Sequence, residues 1–585
     1  MTDLNQPGWW RDAVVYQIYP RSFADSNGDG IGDLPGITAK ADYLADLGVK
    51  VVWLSPVYRS PMDDNGYDIA DYRDIDPMFG SLADFEELLV ALHQRGIRLV
   101  MDLVVNHTSD EHAWFQESAA SKDSAKRDWY WWRDARPIEG LRPGEPGTEP
   151  SEWTSIFSGS AWQWHEPSQQ FYLHMFSTKQ PDLNWENPQV RETVYDMMRW
   201  WLDKGVDGFR MDVINLISKG EALVSGADLA GTEILGGRST GPRFHEFIQE
   251  MHREVFDAYP DRTFLTVGET PRFDAEQGRL TTDPARKELD MVFQFEHVGL
   301  DHAVGDKFVP ADMPLSTLAL NLADWQRGLA ETGWNSLYFE NHDQPRSVSR
   351  WGDEDPQWRA RSAMALMGIL HAHRGTPYVY QGQELGSINM PWQRLDEFGD
   401  LETLNYVTHR QGLGHEFDDM LPGIARAARD NARTPMAWTG DPARAGFTTG
   451  EPWLAVNPAA AEGINAEAQA GVPDSVHTFT RELIRLRQSE PLLVEGRFEL
   501  LGPTSPGGEQ ARLWGVRRVG ADGRVLVALA NFSRDPVLVP DGWVPAGATR
   551  LFGNIPAQDT SAPSELEGWQ LVYLVGNQDG DGQLG

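Results

Sequence analysis

One feature constrains this chain more than any other: short apolar runs alternate with longer helical stretches. The runs are rich in Val, Ile, Tyr and Phe and fall at residues 14–19, 51–54, 99–104, 208–211, 264–267, 291–295, 337–339 and 378–380. Between them, 81–94, 188–204, 244–258 and 359–371 carry the apolar spacing of amphipathic helices. Strands separated by helices pair in parallel through crossovers, and eight such units predict an α/β fold of the (β/α)8 TIM barrel type. The alternative is an open doubly wound sheet, but no Gly-rich phosphate loop follows the first run.

Two stretches interrupt the alternation. Residues 108–180, rich in Trp, Tyr and Phe, are too long for a loop and predict a subdomain inserted after the third strand, over the barrel mouth. Residues 386–475 form a second long excursion, after which 476–488 read as a closing helix. From about residue 493 the texture changes to short alternating strands at 498–501, 512–516, 525–529 and 569–574, which predict a C-terminal antiparallel β domain. The expected organisation is therefore a barrel from 1–107 and 181–492, an insert at 108–180 and a C-terminal β-sandwich at 493–585. The tail GNQDGDGQLG reads as a frayed end rather than a metal loop.

Composition removes whole classes of function. With 51 Lys+Arg against 87 Asp+Glu, the 585-residue chain carries a formal charge of −36. That sign repels nucleic-acid phosphates and anionic lipid alike. There is no cysteine, hence no disulfide, thiolate nucleophile or Cys-bound metal. No apolar run is long enough to span a membrane and no signal peptide is visible, so a soluble cytoplasmic protein is expected. The 23 Trp suit stacking against a ring-shaped neutral ligand.

The polar residues at the strand ends carry the chemistry. The third run leads into Asn106-His107, the fourth into Arg210-Met211-Asp212, the fifth into Gly268-Glu269, the seventh into Asn341-His342-Asp343 and the eighth into Gln381-Gly382-Gln383-Glu384. In a barrel these ends converge on one mouth, where active sites are built. Arg210 and Asp212, two apart on a strand, point the same way, and the cation favours the ionised carboxylate that a nucleophile requires. Glu269 follows an apolar strand, where partial desolvation would raise its pKa and suit it to an acid's role. Two carboxyls in distinct environments are the equipment for glycoside cleavage. Taken singly, each of these acids reads equally well as half of a buried structural salt bridge.

In order and spacing these segments resemble the motifs of glycoside hydrolase family 13, the α-amylase family. DLVVNHTSD is similar to its first conserved region, GFRMDVIN to the second, GET to the third, FENHDQ to the fourth and QPDLNWEN to the extra region of the insert. The likeness runs from WWRDAVVYQIYPRSFADSNGDGIGDLPGI to the β domain. DDNGYDIADY, DNARTPMAW and AGFTTGEPW direct it to the branch of oligo-1,6-glucosidases and sucrose isomerases. The resemblance implies a retaining, exo-acting α-glucosidase that acts on short oligosaccharides and is able to transfer glucose to sugars. By position-by-position match, Asp212 would be the nucleophile, Glu269 the acid and base, and Asp343 the group that binds and distorts the sugar. Tyr67 would stack beneath the ring, and His107, Arg210 and His342 would hold its hydroxyls. Asp64 and Arg433 would clamp the non-reducing end, with Phe157, Phe176 and Gln180 lining the pocket from the insert. For these aromatics the plain alternative is core packing.

The loop DSNGDGIGD alternates oxygen-bearing side chains at Asp25, Asn27, Asp29 and Asp33 with glycines that permit tight turns. With the Ile31 carbonyl, they resemble the start of an EF-hand loop and would hold a structural Ca2+, with Mg2+ as the other candidate. The twelfth position is Gly36, not a bidentate Glu, and the alternative is an Asx-turn loop without metal. No organic cofactor is expected, and the oligomeric state is monomer or homodimer.

Within the resembling branch, Val after the nucleophile accompanies α-1,6 activity, and Val213 therefore implies isomaltose-type substrates. Arg272 departs from the branch, many of whose members carry Gly there, which puts acceptor preference in question. Gln344-Pro345-Arg346-Ser347-Val348 looks like the hydrolases rather than the isomerases. A maltase or sucrose-acting enzyme of the same branch is the nearest alternative. A non-catalytic transporter-associated relative is remote, because all three acids are present and no membrane anchor is seen.

Overall fold

The computed structural model of the chain describes residues 6–227, 229, 240–556 and 560–578. The end of the tail, 579–585, lies outside the described residues. Eight strands form one parallel sheet: β1 Val15–Ile18, β2 Val51–Leu54, β3 Arg98–Leu103, β4 Gly208–Met211, β5 Leu265–Glu269, β6 Met291–Phe293, β7 Ser336–Leu337 and β8 Thr376–Tyr380. Their order is β6-β5-β4-β3-β2-β1-β8-β7. A parallel bridge from Val292 to Asn335 joins the two outer strands and closes the ring. The fold is a (β/α)8 barrel.

Strand alternation sorts the core. Val15, Val51, Trp53, Val100, Leu265, Val267, Met291 and Phe293 cluster inside the barrel. Their neighbours Tyr16, Val52, Leu99, Met101 and Val292 pack instead with the surrounding helices. Along the inward face the residues turn polar towards the C-terminal ends: Val15 gives way to Gln17, Val100 to Asp102, and Val267 to Glu269. The fourth strand starts at Gly208, whose φ is +151°; a Cβ there would sit 1.9 Å from the Leu265 carbonyl oxygen. Only glycine allows that approach, and it sets β4 and β5 in the register that brings Arg210 beside Val267.

The helices end where their sequence signals say. Pro188–Lys204 has Asn187 accepting from the Gln189 N–H, Pro at the first position, and Gly205 beyond its last turn at φ 107°. Between β3 and β4, three short antiparallel strands (Trp132–Arg133, Trp162–His165, Gln170–Leu173) fill the insert. A buried Lys219 joins the two barrel segments that flank the insert: its Nζ pairs with Asp182 and donates to Asn106 Oδ1 at 2.8 Å. After β8 come the helices Leu401–Gly412, Phe417–Ala427 and Asp430–Arg433. The C-terminal sheet runs β9 Arg497–Gly502, β10 Leu513–Val519, β11 Arg524–Asn531, β12 Ala546–Gly553 and β13 Leu571–Asn577, in the antiparallel order β9-β10-β11-β13-β12. Among the described residues no helix is long and apolar enough to cross a membrane.

Candidate active site

Arg210 is the hub of the barrel mouth. Its Nη1 lies 2.6 Å from Asp212 Oδ1 and 2.9 Å from Asp102 Oδ1, and its Nη2 lies 2.6 Å from Glu269 Oε2. Asp102 is Arg210's cross-strand neighbour and also accepts from Tyr67 Oη and Trp53 Nε1. One guanidinium cannot neutralise three buried carboxylates. Burial raises Glu269 to about 8, against the pull of Arg210 and with the push of Asp212. Burial also raises Asp212 and Asp102, each to about 6. At neutral pH the proton of this cluster therefore resides on Glu269, and Asp212 stays ionised. Asp212 and Glu269 share the Arg210 guanidinium, one on each terminal nitrogen, which sets the two carboxyls side by side as in a retaining pair.

Val213, directly after Asp212, has φ 34° and ψ 41°, a left-handed conformation that β-branched residues rarely adopt. The strained turn aims its N–H at Glu269 Oε2, 3.0 Å away.

A second charged centre lies beside the first, close enough for Asp343 to act on Glu269. Asp343 accepts from Arg433 Nη2 at 2.7 Å and from Arg429 Nη1 at 3.4 Å. Arg429 also reaches Asp64 at 3.2 Å, and both arginines share Asp400 Oδ1, at 2.6 and 2.9 Å. Burial acts to raise Asp343, but the guanidinium groups of Arg429 and Arg433 outweigh it and hold this carboxyl well below the usual range. Burial dominates at Asp64 and lifts it to about 7. The salt-bridge partner of Asp64 is thus Arg429, while Arg433 holds Asp343 and Asp400.

The remaining expected pocket residues assemble around these centres. Tyr67 stacks on His342, with ring centres 5.2 Å apart and planes 10° from parallel. Gln17 Nε2 lies 2.8 Å from His342 Nδ1, and burial lowers this imidazole to about 3, so it is neutral. His107, lowered by burial to about 4, hydrogen-bonds the Tyr67 carbonyl at 3.0 Å and lies 3.2 Å from Gln180 Nε2. Gln180 reaches Asp64 Oδ2 at 3.2 Å. Phe176 packs on both His107 and Phe157, and Arg429 lies over the Phe157 ring at 5.0 Å. Asp102, Asp400 and Arg429 were not foreseen. Each had a signal: a lone acid inside an apolar strand, a helix N-cap whose carboxylate accepts from Thr403 N–H, and a second arginine one turn before Arg433.

The first loop stands apart from this machinery. Asp25 Oδ1 accepts from the N–H groups of Asn27 and Gly28, Asn27 Oδ1 from Asp29 N–H, and Asp29 Oδ1 from Ile31 N–H. Asp33 accepts from Ser26 and caps the helix Leu34–Ala39. The donor set is all oxygen, which suits a hard cation. Among the described residues no three carboxylate or imidazole groups converge as a metal-holding cluster.

Paired carboxyls of opposite protonation, clasped by one arginine at the C-terminal mouth of a (β/α)8 barrel, define a glycosidase-type site. Comparison with known proteins agrees. The family described as alpha amylase, catalytic domain, matches residues 17–496. An oligo-1,6-glucosidase of Parageobacillus thermoglucosidasius is 53% identical over 576 residues, covering 97% of this chain and 99% of its own. A glucan 1,6-alpha-glucosidase of Streptococcus pneumoniae is 46% identical, with 97% and 99% covered. The solved isomaltulose synthase of Protaminobacter rubrum superposes with a TM-score of 0.89 at 37% identity, covering 98% of this chain and all of its own. The chain belongs to the α-amylase family and is a glycoside hydrolase.

Proposed function

We propose that this protein is an exo-acting, retaining α-glucosidase that removes single glucose units from the non-reducing end of short α-1,6-glucosides such as isomaltose. The observation that carries the reading is the Asp212–Glu269 pair clasped by Arg210, beside the charged centre of Asp64, Arg429 and Arg433. In this mechanism the Asp212 carboxylate attacks the anomeric carbon as the glycosidic C–O bond breaks, and Glu269 gives its proton to the departing oxygen. Ionised Glu269 then takes a proton from water, which displaces Asp212 and frees α-glucose. An acceptor sugar in place of water gives transglucosylation. Asp343 binds ring hydroxyls and bends the sugar towards the transition state. Tyr67 stacks beneath it, and His107, Arg210 and His342 hold its hydroxyls.

Val213 and the names of the oligo-1,6- and glucan 1,6-α-glucosidase relatives support the α-1,6 preference. A sucrose-acting or isomerising activity is the second reading, favoured by the isomaltulose synthase superposition. A maltase is the third, favoured by an alpha-glucosidase of Pediococcus pentosaceus at 50% identity. Initial rates on isomaltose, maltose, sucrose, trehalose and panose, with products resolved, separate the three. Isomaltose is expected to be cleaved fastest; maltose cleaved far faster than isomaltose would overturn the linkage assignment.

The reading also gives the first loop a structural Ca2+, or Mg2+, on Asp25, Asn27, Asp29, Asp33 and the Ile31 carbonyl, remote from the reacting atoms. It places the enzyme in the cytoplasm, which the lack of cysteine supports, as a monomer or homodimer.

A further inference from the structure

The His342 imidazole meets a polar neighbour at each of its two nitrogens. At Nε2 the neighbour is Asp343 Oδ2, 3.4 Å away. At Nδ1 it is the side-chain amide of Gln17, 2.8 Å away, which also reaches Ser55 Oγ at 3.2 Å. Gln17 is a buried residue of β1. Aromatic rings surround the imidazole: Tyr67 and Tyr19 lie nearly parallel to it, with centres 5.2 and 6.4 Å away, and Trp53 meets it edge-on at 5.7 Å. The charged groups that act on the ring are Asp343, Arg210, Arg433 and Arg429. Burial and the three guanidinium groups outweigh Asp343 and keep the imidazole neutral at neutral pH.

A neutral imidazole has a single N–H, and its partners decide which nitrogen carries it. Asp343, kept ionised by Arg429 and Arg433, offers only acceptor oxygens. A lone pair on Nε2 would be repelled by that carboxylate, whereas an N–H there is attracted to it. The proton therefore belongs on Nε2, and Nδ1 carries the lone pair. A lone pair calls for a donor, so Gln17 turns its NH2 group to the ring, one hydrogen serving His342 Nδ1 and the other Ser55 Oγ. The reversed amide would set its carbonyl oxygen against the Nδ1 lone pair. The same NH2 group disfavours imidazolium, whose second N–H would point at it.

We propose that Gln17 is a positioning residue that holds His342 in the tautomer with its proton on Nε2, so that the imidazole donates to a sugar hydroxyl beside the accepting Asp343. The proposal takes its ligand from the glycosidase reading above, but the place of the proton is tested without turnover. Neutron diffraction from deuterium-exchanged crystals of the wild-type protein should show a deuteron on Nε2, none on Nδ1, and the Gln17 nitrogen facing Nδ1. A deuteron on Nδ1 facing the Gln17 oxygen would overturn the proposal. Kinetics of Gln17→Glu supply a second test. Its carboxylate accepts at Nδ1, so a neutral ring moves its proton there and turns a lone pair to the hydroxyl. Imidazolium, which that carboxylate favours at low pH, still donates from Nε2. Relative to wild type, kcat/KM of the variant on isomaltose is expected to fall about tenfold from pH 5 to pH 8, the effect of losing one hydrogen bond. A loss equal at both pH values would show that Gln17 only fills space, and would overturn the proposal. Wild-type protein inert on both isomaltose and p-nitrophenyl α-glucoside would instead overturn the glycosidase reading, leaving the neutron result to decide the tautomer.

Discussion

Two charged centres lie side by side at the barrel mouth, and their ratios of cation to acid differ. Around Arg210, one guanidinium serves three buried acids, and Asp102, Asp212 and Glu269 are all raised, Glu269 most. Around Arg429 and Arg433, two guanidinium groups serve Asp64, Asp343 and Asp400; Asp343 and Asp400 are lowered, while burial lifts Asp64 to about 7. The Asp343 side chain is also 31% exposed, against 10% or less for Asp102, Asp212 and Glu269, so the supply of cations and the exposure together decide where protons reside. The under-compensated centre keeps a proton to give away. The better-compensated one holds fixed charge for gripping hydroxyls and shutting the pocket.

The largest effect comes from removing the charge that the first centre keeps ionised. Asp212→Asn should lower kcat by about 10^4-fold or more, with the melting curve retained, measured on isomaltose. Near-wild-type turnover would break the assignment of the nucleophile.

Arg429→Gln would give the second centre the ratio of the first. It leaves Asp64, Asp343 and Asp400 to Arg433 alone, and breaking a buried pair typically costs about 3–5 kcal/mol. Denaturant unfolding should show a loss of that order, together with a raised KM. Unchanged stability would mean that the cation count is not what holds this end together.

The pH dependence sharpens the contrast. Below about 6 Asp212 gains a proton and cannot attack; above about 8 Glu269 has lost the proton it must donate. A bell-shaped kcat/KM profile with limbs near these values is expected. Stability carries the same signature. Folded Glu269 keeps its proton to about 8, whereas the ordinary glutamate value is 4.5. Between these values wild-type stability falls as pH rises, and a non-titrating side chain escapes the fall. The melting temperature of Glu269→Gln relative to wild type should therefore rise from pH 5 to pH 8; a constant difference would contradict the raised value.

The smallest effect belongs to the first loop, which lies outside both centres. Chelation should lower the melting temperature by a few degrees, as loss of a bound ion does, while activity at low temperature persists. An unchanged melting curve after exhaustive chelation would remove the metal.

Much of this was legible because the signals were local. Asn187, Pro188 and Gly205 mark both ends of one helix, and strand alternation puts Arg210 and Asp212 on one face. The first centre was accordingly readable from two strand ends. The second was only half readable: Asp64, Asp343 and Arg433 lie in recognisable motifs, but Asp400 and Arg429 come from the long excursion after β8. Their partners are set by tertiary packing across hundreds of residues, as in the 365-residue separation of Arg429 from Asp64. Strand β12 was missed for a related reason. Its AGATRLFG sequence has no fully buried residue and no apolar alternation, so pairing with β13 decides its conformation. The seventh run was foreseen at 337–339, yet the ladder holds only Ser336–Leu337; Tyr338 and Phe339 run on unpaired towards the turn at His342 and Asp343.

Asp212 and Glu269, held side by side by Arg210, cleave glycosides by double displacement. The anomeric form of the glucose released from p-nitrophenyl α-glucoside, whose leaving group adds no second glucose, tests it most directly when followed by NMR before mutarotation. α-Glucose is the expected initial product; β-glucose in its place would contradict a double displacement.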